Sequence, residues 1–266
     1  MPRFTHTLKT TLLAGAGALA LTSAALAAPA VGLTGNNTLV WFDTETLEVS
    51  GTVNLDGVDV LHGFDIRPAD NMLYGITSDQ RIVTIDWETG ATTDVSTITE
   101  TIPDGASAMV DFNPVADRLR FMGSDGTNLR LNVDTGETLV DGDLNFAEGD
   151  ANADAADSMV VATAYINSIG TPEATAQYDI DAGLGILLQQ TAPNDGVIET
   201  RGDLGVSGET YGFDIKAMAE GDNTAYLVVD STLYTVDLES GATTELGALA
   251  GYDGFEAGLR DIAILP

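Results

Sequence analysis

Residues 211–245, YGFDIKAMAEGDNTAYLVVDSTLYTVDLESGATTE, read as short apolar runs separated by polar turns. The first run is headed by Gly212 and ends at a turn over 220–224. A second covers 225–229, and a third, Leu233-Tyr234-Thr235-Val236-Asp237, follows a turn at 230–232. Ser240-Gly241 then turns the chain into Ala242-Thr243-Thr244. β-Branched and aromatic runs of this length, punctuated by Gly, Asn, Asp and Ser, predict strand–turn–strand structure. The same pattern occurs earlier. Gly63-Phe64-Asp65-Ile66 answers Gly212-Phe213-Asp214-Ile215, and Leu73-Tyr74-Gly75-Ile76 answers Ala225-Tyr226-Leu227-Val228. Ile82-Val83-Thr84-Ile85-Asp86 answers Leu233 to Asp237, and Thr89-Gly90-Ala91-Thr92-Thr93 answers Ser240 to Thr244.

Taking Phe64-Asp65-Ile66 as a phase marker, the counterparts are Asp111-Phe112-Asn113, Met159-Val160-Val161, Phe213-Asp214-Ile215 and Asp261-Ile262-Ala263. They recur about every 48–52 residues, the period of a propeller blade. Ala30-Val31-Gly32-Leu33 matches the second strand of the unit, 37–43 the third and 48–55 the fourth, while 259–265 supplies the missing first. The predicted fold is an all-β five-bladed β-propeller, its ring closed by the C-terminal strand 259–266 pairing with the N-terminal blade. The blades are 30–56 with 259–266, then 61–100, 107–142, 155–206 and 209–250. A β-sandwich or an open solenoid accommodates short alternating strands, but neither calls for a chain that starts on strand two and ends on strand one.

Composition narrows the chemistry. There is no cysteine, which excludes disulfides, thiolate metal sites and a cysteine nucleophile. The formal charge is −31, from 41 acidic and 10 basic residues, so nucleic acid and anionic lipid are repelled as partners. Salt adaptation and calcium binding are the two readings of that acidity. Arg3 and Lys9 precede an Ala/Leu/Gly-rich run over 12–21 and the small residues of Ala25-Leu26-Ala27. This is the pattern of a secretory leader, expected over 1–27, with 28–266 as a single propeller domain that is exported to the periplasm or the medium. The run is too short to predict membrane insertion.

Several further strings carry a resemblance. They are Phe112-Asn113-Pro114, Asp117-Arg118-Leu119-Arg120, Asn128-Leu129-Arg130-Leu131-Asn132, Gly149-Asp150-Ala151-Asn152, Ala164-Tyr165-Ile166-Asn167, Tyr178-Asp179-Ile180-Asp181 and Pro193-Asn194-Asp195-Gly196. From about residue 30 onward the chain resembles the uncharacterised bacterial family catalogued as domain of unknown function number 4394. The resemblance implies a secreted or periplasmic propeller-like domain and transfers no catalytic residue. Phe121-Met122-Gly123 departs from the Val-Val-Ser type of strand expected there.

Three constellations are candidates for function. Arg118 and Arg120 share one face of a predicted strand, and Asn128, Arg130 and Asn132 share one face of the next. Together they form a candidate cradle for an anion or carboxylate, because guanidinium forks match planar oxyanions. The competing structural reading pairs these arginines with Asp111, Asp117 and Asp134, and the excess of acid favours it. The loop 141–157 offers Asp141, Asp143, Asp150, Asn152 and Asp154 as calcium ligands. Ala155 stands where a calcium loop needs glycine and Val161 where it needs a bidentate glutamate, which favours solvated acids. His62, the only histidine after the leader, occupies the repeat position of Tyr211, as a half-buried polar aromatic does. The aspartates of the phase marker are expected to hold turns; pointed inward, they would form an acidic ring able to hold a cation.

The sequence therefore predicts an exported acidic propeller acting as a non-catalytic binding or interaction module, for an unknown protein, a glycan or a small anionic ligand. The alternative is a calcium-assisted hydrolase or lyase acting on an anionic small molecule or glycan.

Overall fold

The computed structural model describes Met1 and residues 28–266 except 157, 253–254 and 256. The leader, Met1 apart, lies outside the described residues, and so does Asp157 in the acidic loop. The chain runs β1 (Pro29–Thr34), β2 (Thr38–Asp43) and β3 (Val49–Asn54), then β4 (Leu61–Arg67), β5 (Met72–Thr77), β6 (Arg81–Ile85) and β7 (Thr92–Thr97). The third group is β8 (Ala108–Asn113), β9 (Arg118–Gly123), β10 (Asn128–Leu131) and β11 (Thr138–Val140). A two-residue β12 (Asn145–Phe146) precedes β13 (Val160–Tyr165), β14 (Gln177–Asp181), β15 (Ile186–Ala192) and β16 (Val197–Asp203). The last group is β17 (Tyr211–Ala219), β18 (Asp222–Val229), β19 (Thr232–Val236) and β20 (Thr243–Ala248), followed by β21 (Leu259–Ile264). These strands form five antiparallel meanders, the fourth extended by β12 alongside β16. β21 pairs with β1, from Ala30 opposite Ile264 to Thr34 opposite Leu259, so the last strand completes the first blade. The chain is a five-bladed propeller. No described helix is long and apolar enough to cross a membrane.

Five apolar clusters fill the five seams between blades. One joins Val31 and Leu33 to Phe64 and Val83, and the next joins Ile76 and Ile82 to Phe112 and Leu119. Met122 meets Ile186 and Leu188 at the third seam, and Ala164 and Leu187 meet Phe213 and Leu227 at the fourth. Val228 and Leu233 meet Ile262 and Ile264 at the fifth. A blade sheet has two faces and buries both against its neighbours, so its middle strands are apolar almost throughout.

One turn recurs between the third and fourth strands of four blades. Asp43, Asp86 and Asp237 each accept N–H bonds from the residues two and three further on, at 2.7–3.1 Å, and Asn132 accepts one from Asp134 at 3.0 Å. The turn ends in the left-handed region, at Leu47, Gly90, Gly136 and Gly241. At the three glycines a Cβ would also strike the preceding blade, at Asn54 O, Thr97 O or Gly202 O. Glycine is therefore needed there both for its positive φ and for the close seam.

Candidate functional site

The channel down the propeller axis is lined by β4, β8, β13, β17 and β21, the innermost strands of the five blades. At the end where these strands begin, it opens into a funnel of about 460 Å3 to which all five blades contribute. Leu61, Ala108, Met159 and Val161 give apolar wall, while His62, Ser107, Glu209, Thr210 and Arg260 bring polar groups. The Arg260 guanidinium is committed to the fold. Its Nε donates to Gly35 O at 2.8 Å and its Nη1 to His62 O at 2.9 Å, while its Nη2 reaches Asn36 O and Leu61 O. Burial, together with the Arg260 charge, holds the His62 imidazole below its ordinary pKa, so it is neutral at pH 7. The Tyr211 hydroxyl accepts the Gly208 N–H at 2.9 Å.

Below the funnel lie the marker aspartates. The strand pleat that sends Phe64 and Phe213 into the seams turns Asp65 and Asp214 to the axis. These residues hold the ring together across its seams. Asp261 Oδ2 accepts the Phe64 N–H at 2.9 Å, Asp65 Oδ2 that of Phe112 at 2.8 Å, Asp111 Oδ1 that of Tyr165 at 3.1 Å and Asp214 Oδ2 that of Ile264 at 2.5 Å. The fourth blade supplies no aspartate from β13, where the Thr163 hydroxyl instead donates to Asp179 within its own blade at 2.6 Å. The turn-holding role expected for these aspartates is thus replaced by a bond between blades. Asp65, Asp111 and Asp214 also each present an oxygen within 4.8 Å of the others, all three side chains buried. Like charges that close, out of water, disfavour full ionisation. Burial pushes Asp65 and Asp111 well above the usual carboxylate range, moves Asp214 to about 6 and Asp261 to about 8. Shared protons or one cation could relieve the repulsion. Past the carboxylates, a second cavity of about 180 Å3 is lined by Asp65, Asp214 and Lys216, whose Nζ donates to Leu265 O at 2.9 Å.

The third-blade arginines lie elsewhere, in the cleft towards the fourth blade. Arg120 and Arg130 are directly opposed on β9 and β10. Both grip one carboxylate, Asp141: Arg120 Nη1 at 2.7 Å, and Arg130 through Nε at 2.5 Å and Nη2 at 2.8 Å. Among the described residues, Arg118 reaches only the carbonyls of Ala116 and Asp117. Asn128 is wholly buried, bracing Gly142 O and Pro193 O, and the Asn132 side chain caps its own turn. Asp117 and Asp134, proposed partners of these arginines, bind Arg67 across the seam at 2.6 and 3.0 Å.

The acidic loop does not gather its five candidate ligands. Asp141 belongs to the arginines, whereas Asp150 accepts from Thr200 N, Thr200 Oγ1 and Asn152 N, pinning the loop to β16. Asn152 donates to Thr200 Oγ1 at 3.0 Å, and Asp143 and Asp154 are exposed.

Fold and channel define a β-propeller with an axial funnel over a buried carboxylate cluster. Its residues 38–263 match the family described as Domain of unknown function (DUF4394), and the chain belongs to that family. No curated protein matches the chain. Among solved structures, a structural genomics protein of unknown function from Bacteroides thetaiotaomicron VPI-5482 superimposes with a TM-score of 0.52 at 16% identity. That match covers 88% of this chain and 63% of the other, and it bears on the fold alone. A protein of unknown function from Bacteroides caccae follows at 0.47 and 10% identity, over 90% of this chain and 99% of the other. An auxiliary nutrient binding protein from Bacteroides thetaiotaomicron VPI-5482 gives 0.43 and 12%, over 80% and 57%.

Proposed function

We propose that this protein is an exported, non-catalytic binding module that takes a small organic ligand in the axial funnel. The observation that carries the reading is the convergence of all five blades on one cavity of about 460 Å3, within the size range of small-molecule sites. Its walls are largely apolar with a few polar groups at fixed positions, the lining that buries a ligand body and orients its polar end. The groups nearest to chemistry are already occupied. Arg260 spends its donors on backbone carbonyls, and the neutral His62 ring packs on Phe121 with centroids 5.6 Å apart. Export rests on the leader pattern over 1–27.

The test is a thermal-shift screen of small metabolites and mono- and disaccharides against the wild type and Met159→Trp. Met159 is 44% exposed at the funnel wall, so an indole there fills the cavity without disturbing the core. A ligand that stabilises the wild type saturably is expected to bind the variant at least about tenfold more weakly, with the unliganded melting temperature unchanged. Equal binding by the two proteins, no saturable ligand, or turnover of the ligand found would each overturn the proposal.

A further inference from the structure

The cleft between the third and fourth blades shares no lining residue with the funnel. It encloses about 160 Å3, lined by Arg118, Arg120, Arg130, Asn113, Tyr165 and Asn194 among others. Three of the seven arginines after residue 27 converge there, in a chain of formal charge −31. Of the other four, Arg67 faces Asp70, Asp117 and Asp134, and Arg81 faces Asp79 and Asp94, whereas Arg201 donates to Gln189 Oε1 and Arg260 to backbone carbonyls. In the cleft, Arg120 and Arg130 share the single carboxylate of Asp141, and Arg118 has no salt bridge among the described residues. Asp117, next to Arg118, is held by Arg67.

Arg120 is 1% exposed, an expensive place for a charge unless it is fully used. It donates from Nε to Tyr165 Oη and from Nη1 to Asn128 and Asp141, while its Nη2 has no partner among the described residues. Arg130 uses Nε and Nη2 on Asp141, leaving Nη1 free in the same sense. Arg118 uses only Nη1 among the described residues. The Tyr165 hydroxyl donates to Gln177 Oε1 at 2.6 Å, away from the guanidiniums. A cleft lined with surplus positive charge and spare N–H donors matches the planar acceptor pair of a carboxylate, and low-dielectric walls focus that field.

We propose that this cleft is a binding site for a small carboxylate, held by Arg118 at the rim and by the buried Arg120–Arg130 pair at the base. The free carboxylate ion and the carboxylate of a sugar acid share the chemistry, and the cleft has room for either headgroup. Asn128 and Asn132 do not reach the ligand: the Asn128 amide is spent on Gly142 O, Pro193 O and Arg120 Nη1, and the Asn132 side chain on its own turn.

The test titrates the whole protein with sodium acetate, sodium glucuronate and sodium sulfate, at ionic strength matched with sodium chloride, following melting temperature and heat of binding. The variants are Arg118→Gln and Arg118→Glu, which spare the buried pair. Acetate or glucuronate is expected to stabilise saturably beyond chloride, with glucuronate tighter by about tenfold or more if sugar acids are the natural class. Arg118→Gln should weaken the effect about tenfold and Arg118→Glu should remove it, neither changing the unliganded melting temperature by more than about 2 °C. A response no larger than that of chloride, a preference for sulfate over both carboxylates, or full retention in Arg118→Glu overturns the proposal.

Discussion

Deleting residues 258–266 is expected to abolish cooperative folding, although it removes only nine residues from one end. β21 is the inner strand of the first blade and sits at two seams, with Leu259, Ile262, Ile264 and Leu265 all buried. Burial of such side chains contributes about 1.5–3 kcal/mol each, on the order of 10 kcal/mol together, which equals the whole stability of a typical domain. The loss also frees the β1 edge, strips Phe64 N–H of Asp261 and leaves Asp214 without Ile264. An apolar edge exposed in this way invites pairing between chains. The truncated protein should show no sharp thermal transition, bind a hydrophobic dye and associate in sedimentation. A synthetic 258–266 peptide added in excess should restore part of the transition. A truncated monomer that melts like the full chain would falsify closure by β21.

The ring was legible because its signals are local. Strand runs, D-x-x-T-G turns such as Asp86 to Gly90, and the phase offset at the two ends all survive in a linear reading. The side-chain pairings were not, because a propeller makes its decisive polar contacts across seams, between residues about 50 positions apart. Asp65 looks the same in sequence whether it holds its own turn or the Phe112 N–H of the next blade. The alternation puts Arg120 and Arg130 on one face, and they stand directly opposed there, but their shared carboxylate is Asp141, which the sequence groups with the acidic loop. β11 decides this: it pairs with β10 and carries the chain back alongside both arginines before the loop begins. The funnel left one trace, the exchange of His62 for Tyr211 at one repeat position. That trace gains meaning only when the inner strands are known to begin at one end of the channel.

The buried aspartates should make the protein more stable at pH 5 than at pH 8, the reverse of the usual behaviour of salt-bridged carboxylates. A carboxyl whose pKa is higher in the folded than in the unfolded state binds more protons when folded, so stability falls as pH rises between the two values. Here the unfolded value is 3.8, and the folded values are about 6 for Asp214 and about 8 for Asp261, with Asp65 and Asp111 also raised. The charges facing the cluster, Lys216 and Arg260, lower Asp214 and Asp261 respectively, but burial outweighs both. Each extra proton bound by the folded state is worth about 1.4 kcal/mol per pH unit, or about 2–4 °C in a domain of this size. Calorimetry from pH 5 to pH 8 in EDTA is expected to show a fall on the order of 10 °C. Asp111→Asn separates the cluster from the general surface charge. One Asp111 oxygen accepts the Tyr165 N–H and the other has no partner among the described residues, so an amide keeps the first bond and offers its NH2 to Asp65 and Asp214. This variant should melt higher than the wild type at pH 8 and no higher at pH 5, with a flatter pH slope. The exposed Asp154→Asn should leave the slope unchanged. A melting temperature level across pH 5–8, or an Asp111→Asn protein that loses as much at pH 8 as at pH 5, would mean that the channel carboxylates are charged and screened rather than protonated.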